Sequence, residues 1–224
     1  KKAEALEPLD DRSRFTLVLA YIILNHRDWA RPELEKLAES DPKNPLYPYW
    51  LGRLDYDAMQ FTSAVSNFQK ALALDPHFMK AYDNLGLSYE ALGRYEDSVK
   101  TYQEAARLNQ ARVPSSPWPP LNLGALLLKL GRLEEAAVSL SESLRYTPDF
   151  PQAHYQLGLL LEKQKKYAEA IRELREAVRL DPNYPEPHYV LGRIHRRRGE
   201  TEEAETAWNT FQKLKREQRQ VRPH

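Results

Sequence analysis

The sequence predicts an all-α solenoid of antiparallel helix pairs, and three observations carry that prediction. Proline recurs at Pro8, Pro42, Pro76, Pro148 and Pro182, 34 residues apart except where one gap of two periods carries four extra residues. Glycine recurs at Gly52, Gly86, Gly124, Gly158 and Gly192 with the same pitch and the same extra four residues, between Gly86 and Gly124. Between these marks, apolar residues follow helical spacing. Self-similarity at this period signals a solenoid, in which each repeat buries its apolar face against its neighbours.

With the recurring glycine as eighth residue, the units are 11–44, 45–78, 79–112, 117–150, 151–184 and 185–218. Residues 1–10 read as the remnant of a preceding repeat, 113–116 as a proline-rich insertion and 219–224 as a polar tail. Each first half places large residues at its fourth, seventh and eleventh positions, such as Tyr82, Leu85 and Tyr89. That spacing is one face of an α-helix. A short turn follows, with Gly93, Gly131 and Gly199 where a helix end takes a left-handed residue. Each second half opens on acidic residues, which suit a helix N-terminus, and carries a small–large–small pattern such as Ala64, Phe68, Ala71. Asp-Pro pairs (Asp75-Pro76, Asp181-Pro182) end the unit. The first unit fits least well: Val18 replaces the glycine, and a helix boundary is expected near Trp29 and Pro32.

Composition narrows the function. Thirty-three basic and 32 acidic residues nearly cancel, so no global field favours nucleic acid or an anionic membrane. There is no cysteine, which excludes disulfides, thiolate metal sites and a cysteine nucleophile. The longest apolar run, Leu17 to Leu24, is far shorter than the roughly 20 residues of a membrane span. No phosphate-binding glycine loop, HExxH or nucleophile elbow is present, so no enzymatic activity and no cofactor are expected. His154, His188 and His195 read as packing residues, not metal ligands. The opening, KKAEALEP, matches the end of a repeat and not a signal peptide, so the chain reads as a fragment or processed product. What preceded it could include further repeats, a signal or an anchor, and the compartment is left between cytoplasmic and periplasmic or exported.

The third unit spells a specific pattern: Tyr82, Leu85-Gly86, Tyr89, Gly93 and Tyr95, Ser98, Tyr102 and Ala105, with Gln110 where proline is expected. This resembles the tetratricopeptide repeat family over about residues 11–218. The resemblance implies a right-handed superhelix whose first helices line a concave groove for short peptides or helices. The groove positions implied by the family fall at Tyr49, Trp50, Arg53 and Tyr56, then Asp83 and Asn84, then Asn122. They continue at Tyr155, Tyr189, Arg193, Arg196 and Arg197, so the surface grades from aromatic through polar to basic. Asn84 and Asn122 can bracket a ligand backbone, or they belong to the general repeat consensus. The arginine stripe reads as a site for an acidic ligand end or as a solvated terminal helix neutralised by Glu200, Glu202 and Glu203. Trp118 reads as a ligand anchor or, more economically, as a staple ordering the proline loop onto Leu121 and Leu144. Lys and Asn never occupy the fifth and ninth places of one unit, which disfavours the family's clamp for C-terminal carboxylates.

The function expected is a non-catalytic scaffold for a protein or peptide, with a targeting arm of a glycosyltransferase- or sulfotransferase-like enzyme, or a self-assembly module, as alternatives. The apolar first helix predicts self-association through Phe15, Leu19 and Ile22.

Overall fold

The computed structural model describes residues 9–221, so residues 1–8 of the remnant assigned to 1–10 lie outside the described residues. These residues form twelve α-helices and no strand. They fall into two compact units that divide at Leu108/Asn109. The first holds α1 (Asp11–Ile23), α2 (Arg27–Ser40), α3 (Leu46–Asp57), α4 (Phe61–Leu74), α5 (Met79–Ala91) and most of α6 (Tyr95–Gln110). The second holds α7 (Trp118–Lys129), α8 (Leu133–Tyr146), α9 (Pro151–Lys163), α10 (Tyr167–Leu180), α11 (Pro185–Arg197) and α12 (Thr201–Val221).

Each first helix ends the same way. The residue two beyond the helix has positive φ and donates its N–H to a carbonyl three residues back; the next N–H reaches five back. Gly93 and Arg94 do this at 3.0 and 2.8 Å, and Lys165 and Lys166 both at 2.9 Å. This is the Schellman motif. Glycine takes the left-handed position at Gly93, Gly131 and Gly199, while Asn25, Met59 and Lys165 take it in the other repeats at φ of 58–60°. The sequence pattern marked only the glycines.

Within a hairpin the two helices close on one recurring pair, a glycine and a large residue 16 positions later. A Cβ on Gly52, Gly124 or Gly158 would come within 2.7–2.8 Å of Phe68, Leu140 or Leu174, and on Gly86 or Gly192 closer still to Tyr102 or Trp208. The large side chain therefore lies directly on the glycine backbone, which explains why Phe68, Tyr102, Leu140 and Leu174 are fully buried. Alanines such as Ala64, Ala71, Ala170 and Ala177 keep the remaining interface thin.

The first hairpin departs from the pattern, with a fully buried Val18 at the glycine position. Its second helix starts at Arg27, so Trp29 and Pro32 are both helical and the expected boundary lies several residues too late. Pro32 is tolerated in the second turn because the carbonyl it leaves unpaired, on Asp28, is on an exposed residue. Among the described residues two carboxylates are buried. Asp55 accepts from Arg31 and, at 2.7 Å, from Asn67; Glu162 is the other.

Candidate binding faces on the first helices

In the first unit the aromatic residues of α3 divide between core and surface. Tyr49 is 5% exposed, its ring edge-on to Trp50 at 5.5 Å and tilted on Phe78 at 4.8 Å. It therefore backs the face and does not line it, since its helical position turns it toward α4 and the next repeat. Trp50 is half-buried, with the Arg53 guanidinium 5.8 Å from its ring centroid. Tyr56 packs edge-on against Phe61 at 5.4 Å. On α5 the amide of Asn84 donates to the Lys80 carbonyl at 2.7 Å, a bond within its own helix, and Asp83 is half-buried nearby in sequence. Glu90 accepts from the Tyr102 hydroxyl at 2.9 Å; burial, then the Glu90 charge, push that phenol up strongly.

The self-association residues are partly absorbed by packing. Phe15 lies edge-on to Tyr47 at 5.7 Å, and Phe15 and Ile22 pack against the core of the first two hairpins. Leu19 is half-buried. The exposed apolar residues lie one step further on, at Ile23 (83%) and Leu24 (64%).

In the second unit, Asn122 is half-buried on α7. Trp118 stands at the start of that helix, 49% exposed and edge-on to Phe150 at 5.0 Å. It is a half-open edge of the face, and the proline loop is ordered by another residue. Fully buried Asn109 donates to the Ser116 carbonyl and accepts from the Ser116 N–H, both at 2.8 Å. Ser143 adds a 2.8 Å bond to the Pro117 carbonyl. The signal was available: Asn109-Gln110 replaces the Asp-Pro that closes other units, just where the insertion begins.

The C-terminal part of the face is aromatic and basic. Tyr155 lies edge-on to Tyr184 at 5.2 Å, and burial raises both phenol pKa values. Tyr189 is 43% exposed and rests on Trp208 and Phe211. The predicted arginine stripe splits. Arg193 and Arg197 both turn back to Glu162 of α9, whereas Arg196 turns to α12, its guanidinium 5.4 Å from the Trp208 ring centroid. There it borders a cleft of about 430 Å³ with Glu205, Trp208 and Gln212. Of the three glutamates expected to neutralise the stripe, Glu200 pairs with Arg198 at 2.8 Å.

The histidines bind carboxylates that the sequence reading did not foresee. His154 contacts Glu173 at 2.7 Å and the Pro148 carbonyl at 2.8 Å, and the Glu173 hydrogen bond raises its pKa. His195, buried, contacts Glu200 at 2.5 Å. Burial lowers the pKa of His188. Among the described residues no three His, Cys, Asp or Glu side chains are grouped to hold a metal ion, and no helix is long and apolar enough to cross a membrane.

Comparison with known proteins agrees with this architecture. A tetratricopeptide repeat family model matches residues 51–117 and 121–185, and a second matches 161–222. The TPR repeat-containing protein YpiA of Bacillus subtilis is 30% identical over 125 residues, 55% of this chain and 28% of that protein. Human Superkiller complex protein 3 is 26% identical over 155 residues, 68% of this chain and 10% of its own length. The chain thus spans well under a third of these relatives. Among solved structures, PilF of Pseudomonas aeruginosa superposes with a TM-score of 0.78 at 20% identity, covering 91% of each chain. YrrB, described as a TPR protein with an unusual peptide-binding site, superposes at 0.61 and 19% identity over 81% of this chain and 91% of its own. Helix pairs closed on a glycine, a repeated Schellman turn and the two family matches together make this chain a member of the tetratricopeptide repeat family, whose members are generally non-catalytic scaffolds for protein partners.

Proposed function

We propose that the chain is a non-catalytic scaffold that binds a protein segment on its first-helix faces. The observation that supports this reading is the contrast between the two layers. The first helices present aromatic rings at the surface, Trp50 and Trp118 and Tyr189, above hairpins sealed by buried glycine contacts. The second helices, Trp29 of α2 apart, present charged residues paired at i,i+3, such as Arg107–Glu104 and Arg179–Glu176. Half-buried aromatic rings give large contact area at low entropic cost, and such residues dominate binding energy at interfaces. Salt-bridged faces of the second kind are typical solvated surfaces.

Immobilised chain is the bait, and partners are recovered from a lysate and then titrated individually. Trp50→Ala is expected to weaken a partner of the first unit by about 1–4 kcal/mol at any salt concentration. Arg172→Glu, on exposed α10, is expected to leave binding intact. Loss of binding with Arg172→Glu and none with Trp50→Ala or Tyr189→Ala overturns the reading.

A further inference from the structure

The first helices of the second unit carry a different charge balance from the helices behind them. Helix α10 carries three acids, Glu169, Glu173 and Glu176, and three bases, Arg172, Arg175 and Arg179; in α8 acids outnumber bases. In contrast, α7, α9 and α11 carry Lys129, Lys163, Arg193, Arg196 and Arg197 against only Glu162 and Glu186. Glu186 is bridged by Lys215 of α12 at 2.6 Å.

Glu162 is 5% exposed and accepts from Arg193 Nε at 2.8 Å, from Arg193 Nη2, and from Arg197 Nη1 at 3.2 Å. One desolvated carboxylate therefore holds two guanidiniums whose side chains are 37% and 54% exposed, and the trio keeps one net positive charge. Nη1 of Arg193 and Nε and Nη2 of Arg197 are not engaged by Glu162. Lys163, the next residue, donates to the Leu128 carbonyl at the end of α7 at 2.7 Å, which fixes a further cation beside Glu162 on the side of α9 that meets α7. Tyr189 lies under Arg193, 5.7 Å from guanidinium carbon to ring centroid.

Cations near a helix C-terminus are favoured by the macrodipole, but that effect fades within the last turn. It does not account for Arg193, mid-helix in α11, nor for a carboxylate buried to hold it, because burying such a charge is costly. A guanidinium fork fixed in this way is pre-set for bidentate pairing with carboxylates. The aromatic floor suits apolar residues between the acids. A near-neutral chain of net charge +1 lacks the extended basic footprint of a nucleic-acid binder.

We propose that Arg193 and Arg197, held by Glu162 and joined by Lys163, form a docking site on the second unit for an acidic peptide segment of a partner protein. The proposal rests on the first-helix faces being the binding surface. Glu162 acts as a positioning residue.

The test is fluorescence anisotropy of the whole chain with a labelled decapeptide of alternating Glu and Leu, a control peptide with Lys for each Glu, and a single-stranded DNA of matched charge. The acidic peptide is expected to bind, with affinity falling about threefold between roughly 50 and 300 mM NaCl as exposed charges are screened. Arg197→Ala is expected to weaken it about fivefold, the scale of one exposed ion pair, and to flatten the salt dependence. Arg197→Lys, which keeps the charge and guards against a folding defect, should fall between the two. Arg172→Ala on α10 should have no effect. Glu162→Gln adds positive charge yet is expected to weaken binding, because it releases the guanidiniums; simple long-range attraction predicts a gain. Equal binding of the lysine peptide or the DNA, equal loss with Arg172→Ala, or tighter binding with Glu162→Gln overturns the proposal. If the acidic peptide fails while captured partners still depend on Trp50 or Tyr189, the acidic-ligand inference falls and the first-helix reading stands.

Discussion

Met59 and Lys165 hold φ of 58° and 60°, a conformation that costs a side-chain-bearing residue about 1–2 kcal/mol. The Schellman bonds around them fix that backbone regardless of the residue. Met59→Gly and Lys165→Gly are each expected to stabilise their unit by about 0.5–1 kcal/mol, after the greater freedom of glycine in the unfolded chain is subtracted. Urea denaturation measures this, and an unchanged or lower midpoint contradicts it. His154 gives a pH-dependent counterpart. Its folded pKa is raised above 6.5, mainly by the Glu173 hydrogen bond, so the stability it confers is fully present below the unfolded pKa. That stability is lost as pH rises through the folded pKa. The destabilisation caused by His154→Gln should therefore be larger near pH 5.5 than near pH 8.5. His188, lowered by burial, acts in the opposite sense but is common to both proteins compared. A larger cost at high pH contradicts the sign. Neither the left-handed positions of Met59 and Lys165 nor the carboxylate partner of His154 was legible in the repeat pattern: a left-handed residue is announced only when it is glycine, and Glu173 reaches His154 from the other helix of the hairpin.

At the scale of the helix pair, the glycine contact sets the spacing of the hairpin. Gly124 has the Leu140 side chain 2.8 Å from where a Cβ would stand, with the Leu140 backbone nitrogen at 3.3 Å behind it. Gly124→Leu is expected to cost about 1–3 kcal/mol by forcing α7 and α8 apart. Since each repeat leans only on its neighbours, amide hydrogen exchange should rise in α7–α10 before α11 and α12. A uniform rise across the second unit contradicts neighbour-only coupling. This part of the fold was open to reading, because the glycines and the large residues 16 later recur with the repeat. The proline loop was less so. Its most visible residue, Trp118, invited the ordering role, yet a small buried amide with two matched bonds to one peptide group does that work. The arginine stripe also escaped a one-dimensional reading. Positions i and i+4 on α11 face α9, whereas i+3 lies far enough round the helix to meet Trp208.

Across the whole molecule, the family and the helix-pair architecture follow from the period, and the partner does not. The repeat pattern fixes what is buried, so it announces the fold and not the ligand. In the proposed reading the partner is chosen by surface residues that the period leaves free, such as half-buried Trp50, Tyr189 and the Glu162-held arginines. The central claim is that these first-helix faces, not the salt-bridged second helices, are the binding surface. Amide hydrogen exchange with and without a purified partner tests it most directly. The expected footprint is protection confined to α3 and α5, or to α7, α9 and α11, with α4, α8 and α10 unchanged. Protection on α4, α8 or α10 with the first helices unaltered contradicts the claim.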